Sequence, residues 1–143
     1  MSVLSQVQDD VKTALKAGDR ERVHALRLIA DALQKAEKDN GGEPAEVLQR
    51  ERKRRHESAT AFRDGGRPEL AEAEEAEAQV IEAYLPAELS DDELRAIVSA
   101  AVAESGASSP QEMGKVMGLV MPHVKGRADG KRVSATVKEM LTP

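Results

Sequence analysis

The sequence predicts an all-α, multihelical protein, and three observations carry that prediction. With one Phe, one Tyr and no Trp among 143 residues, its core must come from Leu, Val, Ile, Met and Ala, a palette suited to helix-on-helix packing. Its apolar residues recur at intervals of three and four. Proline, glycine and small polar residues punctuate these stretches where helices start and stop, and no alternating strand pattern competes.

Leu4, Val7, Val11, Ala14 and Leu15 share one face of a first helix, and Gly18 is suited to stop it. Asp19 is placed to cap a second helix with the stripe Val23, Leu26, Ile29, Ala30 and Leu33, ending at Asn40-Gly41-Gly42. A third opens at Pro44, carries Val47, Leu48, Ala59 and Phe62, and breaks at Gly65-Gly66. A fourth runs from Pro68 through Val80, Ile81, Tyr84 and Leu85 to Pro86, which cannot continue it. Ser90 and Glu93 form a capping-box pattern ahead of Leu94, Ile97, Val98, Ala101 and Val102, with a stop near Gly106. Ser109-Pro110-Gln111-Glu112 repeats that grammar before Met113, Val116, Met117 and Val120, and Pro122 is expected to end this sixth helix. Asp129 is placed to cap the last helix, with Val133, Val137, Met140 and Leu141 on one face. The organisation expected is an N-terminal helical subdomain over 1–87 followed by a small three-helix subdomain over 88–143.

Several chemistries are excluded. Without cysteine there is no disulfide framework, thiolate nucleophile or Cys-based zinc site. The N-terminal residues lack a basic flank and an apolar run, and no stretch is long enough to cross a bilayer, so a cytoplasmic protein with no membrane partner is expected. His24, His56 and His123 stand singly, without metal-ligand or nucleophile-base spacing, so no catalytic residue, metal site or cofactor is assigned. The string Gly126-Arg-Ala-Asp-Gly130-Lys131-Arg132 is not a nucleotide-binding P-loop: three residues separate the glycines, Arg132 stands where Ser or Thr is needed, and no strand precedes it.

Charge is segregated along the chain. Between Pro68 and Leu94 lie ten acidic residues and no basic one, read as a solvated Ala/Glu-rich helix in preference to a docking face. Arg50-Glu51-Arg52-Lys53-Arg54-Arg55 is the densest basic cluster. Glu46 with Arg50, Glu51 with Arg55 and Lys53 with Glu57 are each four apart, so local neutralisation is expected there. From Met113 onward Lys115, Lys125, Arg127, Lys131, Arg132 and Lys138 face only Asp129 and Glu139, a net +4 in a chain of −5, which leaves −9 on the preceding 112 residues. Such a reversal is what an anion-binding patch on an otherwise acidic protein looks like; the alternative is a turn whose charges only keep it soluble. Gly126 and Gly130 permit loop conformations in which successive amides point together, next to a helix start. Lys131 and Lys138, seven apart, share one side of the last helix. With so few aromatic rings for base stacking, any nucleic-acid contact falls on backbone and shape. Gly114 and Gly118, four apart on the sixth helix, are expected to admit another helix at close range.

The run from Met113 through Ser134, with Val137-Lys138 beyond it, resembles the C-terminal signature of the GatB/YqeY family. Glu57-Ser58-Ala59-Thr60-Ala61-Phe62-Arg63, Glu82-Ala83-Tyr84-Leu85-Pro86 and Leu89 to Leu94 are similar to freestanding members, so the resemblance spans essentially the whole chain. It implies two all-α subdomains. It also implies a link to tRNA, because a similar domain forms the tRNA-contacting tail of the amidotransferase B subunit. The RNA-facing positions it indicates are Lys115, Lys125, Arg127, Lys131, Arg132 and Lys138, around the loop backbone of Gly126 and Gly130. Partners suggested by the resemblance are tRNA, an aminoacyl-tRNA synthetase or an amidotransferase component. The family's carbon-nitrogen ligase label, with glutamine as amido-N-donor, finds no residues in this chain to perform it, so the expected role is an accessory protein. The alternative is a helical protein-interaction module without RNA binding.

Overall fold

A computed structural model describes residues 1–142 as an all-α protein: α1 Val3–Ala17, α2 Arg20–Asp39, α3 Pro44–Asp64, α4 Pro68–Glu82, α5 Asp91–Ser105, α6 Met113–Val124 and α7 Gly130–Leu141, with a 3₁₀ turn, Pro110–Glu112, leading into α6. The chain divides into two compact units, the first ending at Leu85 and the second starting at Pro86.

In unit 1 the start and stop signals operate as local chemistry dictates. Ser2 accepts from the Ser5 amide at the start of α1, Asp19 accepts from the Arg22 amide at 3.1 Å, and Gly18 closes α1 in the left-handed region at φ 72°, which costs glycine nothing. The α2 stripe Val23, Leu26, Ile29, Ala30 and Leu33 is buried, with Val7, Val47, Leu48 and Ile81 in the same core. Each large aliphatic side chain buried there contributes about 1.5–3 kcal/mol. Three details depart from expectation. Leu15 is 51% exposed, because it lies at the edge of the α1 stripe. Arg52, in the basic cluster where pairing along the helix is expected, is instead buried. α4 stops at Glu82, and Tyr84 and Leu85 continue as a turn with i→i−3 bonds to Ile81 and Glu82, since the residue before Pro86 is disfavoured in the α region.

Unit 2 is three helices in mutual contact. Leu94 and Val98 of α5, Val116, Val120 and Val124 of α6, and Val133, Val137 and Leu141 of α7 form its core. The Ser90–Glu93 capping box is complete. Pro122 does not end α6, which continues to Val124. One turn from a helix end the missing N–H forfeits a single bond, and its would-be acceptor, the Gly118 carbonyl, belongs to an exposed residue open to water. The expected close approach at Gly114 and Gly118 is also absent, since a Cβ at either position meets nothing within 4 Å.

Candidate functional site

The basic loop begins where α6 ends. Gly126 takes φ 74°, and this turn lets the Arg127 and Ala128 amides both donate to the Val124 carbonyl, at 2.9 and 3.1 Å. Gly130 is the first residue of α7 and is not among the positive-φ glycines of the described residues. The Asp129 carboxylate caps α7 by accepting from the Arg132 amide at 2.8 Å. Two of the loop amides are thus turned back onto the end of α6, and a carboxylate already sits at the start of α7. Anion contact at this place falls to side chains.

Those side chains separate into two groups. Arg127 and Arg132 turn toward the first turn of α5. Arg132 donates to the Asp91 carboxylate at 2.8 Å. Arg127 donates from Nε to the Ala87 carbonyl at 3.1 Å and lies 3.8 Å from the Glu93 carboxylate, while its own carbonyl accepts from the Leu89 amide at 2.9 Å. The Arg132 guanidinium holds the Asp91 carboxyl below the ordinary carboxylate range. Glu93 is lowered as well, first by its hydrogen bonds with Ser90 and then by Arg127. In sequence Glu93 is legible as a capping-box residue and Asp91 as part of the acidic run, and their arginine partners are visible in the fold alone.

Lys115, Lys125, Lys131 and Lys138 form the second group, all exposed. On α7, Arg132 and Glu139 form the row that meets α5, with Glu139 accepting from Arg95 at 3.4 Å. Lys131 and Lys138 each precede a member of that row and so sit about 100° round the helix from it. The six expected positions therefore comprise two half-buried arginines that reach α5 and four exposed lysines. From Pro86 to Thr142 the acidic residues number eight against seven basic ones, so the positive segment is offset mainly by the start of α5.

Unit 1 shows where its segregated charges go. The acidic α4 faces the basic α3: Arg63 bonds Glu75 at 2.6 Å, and Arg55 reaches Glu77 at 3.5 Å while also bonding Glu51 on its own helix. Arg50 donates to the Gly41 carbonyl at 2.8 Å. His24 lies 3.9 Å from Glu77 and His56 3.7 Å from Glu82. Part of both charge runs is thus spent between neighbouring helices, a pairing that spacing along one helix does not reveal.

A family model described as "Yqey-like protein" matches residues 4–141. The chain belongs to the YqeY-like family. A curated relative, "Altered inheritance of mitochondria protein 41, mitochondrial" from Pyrenophora tritici-repentis (strain Pt-1C-BFP), is 28% identical over 148 residues, covering 97% of this chain and 81% of the relative. Among the described residues of this YqeY-like chain, no helix is long and apolar enough to cross a membrane.

Proposed function

We propose that this YqeY-like protein is a cytoplasmic accessory protein that binds tRNA through the sugar-phosphate backbone, using the basic side chains of unit 2. The observation that carries the reading is the exposure of Lys115, Lys131 and Lys138, with Lys125 exposed beside them and Lys131 and Lys138 on one side of α7. Lysine ammonium groups on long stems suit phosphates as mobile point charges, and contacts to phosphate read no base sequence. The link to tRNA-dependent amidotransfer, and to a synthetase or amidotransferase component as protein partner, rests on the GatB/YqeY resemblance. The reading gives this chain no catalytic residue.

Titration with unfractionated tRNA at low salt tests it. The variant K125A/K131A/K138A spares the two arginines that reach α5, and should bind more weakly than the natural chain; undiminished binding by a folded triple variant contradicts the reading.

The alternative, a protein-interaction module, has one feature in its favour: the open face of α6 at Gly114 and Gly118. Capture of a protein partner that is lost in G114L/G118L, by a chain indifferent to tRNA, would decide for it.

A further inference from the structure

Arg127 and Arg132 are the two guanidinium groups of the basic segment, and both face carboxylates from one turn of α5: Arg132 is hydrogen-bonded to Asp91, and Arg127, whose Nε donates to the Ala87 carbonyl, lies 3.8 Å from Glu93. A guanidinium binds phosphate oxygens with the same planar fork of N–H donors that it offers a carboxylate. The N–H of Arg132 that donates to Asp91 at 2.8 Å cannot serve a phosphate at the same time. We infer that Asp91 and Glu93 act as an internal competitor for the ligand's phosphates, restraining Arg127 and Arg132 until a polyanion displaces them. The inference rests on the reading of this segment as the RNA-facing surface.

The pairs are suited to exchange. The side chain of Asp91 is 81% exposed against 31% for Arg132, and that of Glu93 56% against 37% for Arg127. Ion pairs this accessible add little to stability and are readily replaced. The backbone around them does not depend on them: the Leu89 amide bonds the Arg127 carbonyl, and the Asp129 cap holds the Arg132 amide. Glu93 divides its two oxygens between roles, Oε1 accepting from the Ser90 amide and Oε2 facing Arg127. A ligand with few phosphates gains too little to displace two carboxylates, whereas a polymer that also engages the exposed lysines gains enough. The acidic turn thereby selects for polyanions over single phosphates.

The test uses the full chain as D91N/E93Q, in which glutamine retains the capping oxygen at position 93. A control, D92N/E104Q, removes the same number of charges from exposed acids of the same helix. With unfractionated tRNA as probe, D91N/E93Q should bind about tenfold tighter than the natural chain, with a steeper salt dependence as two more cations meet phosphates. The control should shift much less, and inorganic phosphate, offered separately, should gain affinity only for D91N/E93Q. Equal tightening by the two variants overturns the inference by reducing it to net charge. Lysine-dependent tRNA binding that is unmoved in D91N/E93Q overturns it while the proposed function stands. Absence of tRNA binding by both the natural chain and D91N/E93Q overturns both.

Discussion

Arg132 meets Asp91 at 2.8 Å across 41 positions of sequence, joining the first turn of α7 to the first turn of α5. One ion pair thus links the basic segment to the acidic turn that opposes it. Asp91, Glu93 and Glu112 all have carboxyls held below their ordinary range, respectively by Arg132, by hydrogen bonds with Ser90, and by the Ser108 amide.

For each of these three groups the folded pKa lies below the unfolded value, so its contribution is present above the unfolded value, about 4, and is lost as pH falls through the folded one. Unit 2 should therefore weaken on acidification through the carboxylate range. Site-resolved hydrogen exchange at core amides such as Leu94 checks this. E93Q should show a shallower loss of protection than the natural chain, and an equal loss would remove Glu93 from the account.

Tyr84 donates its hydroxyl to the Asp10 carboxylate. Burial, followed by this hydrogen bond, raises its pKa well above the ordinary tyrosine value. Because the folded value is the higher one, this contribution is complete below about pH 10 and is lost as pH rises beyond it. As Tyr84 is the single tyrosine and there is no tryptophan, tyrosinate absorbance reports it directly. Its ionisation in the folded chain should occur at higher pH than in urea, and Tyr84→Phe should cost about 1 kcal/mol at neutral pH.

Gly118 sits mid-helix in α6, outside the left-handed region, with open space where a Cβ would lie. Gly118→Ala should stabilise unit 2 by about 0.5–1 kcal/mol, since only the helix cost of glycine is removed. Gly114, second in the helix, should gain less. Chemical denaturation followed by a probe in unit 2 measures both, and a destabilised G118A would reveal a steric demand that the fold does not contain.

Much of the fold is legible in the sequence because it is locally determined. The α2 stripe, the caps at Asp19, Ser90 and Asp129, and the stop at Gly18 depend on residues within one or two turns, and each forms. What spacing misses is tertiary. The burial of Arg52 and the pairing of Arg63 with Glu75 require knowing that α3 packs on α4. The continuation of α6 past Pro122 requires a loss small enough to tolerate near a helix end. At the candidate site Lys131 and Lys138 are legible as charge on one side of α7, but the reach of Arg127 and Arg132 to α5 is not, because their partners lie some forty positions away. The loop amides likewise read as an anion cradle until the turn at Gly126 directs two of them to Val124.

The salt dependence of tRNA binding tests the central claim most directly. If the exposed lysines of unit 2 meet phosphates, a plot of log affinity against log salt should be steeply negative. In K125A/K131A/K138A its slope should be smaller in magnitude by about 2 to 3, the share of three phosphate contacts. The same slope in the natural chain and a folded triple variant would contradict the account.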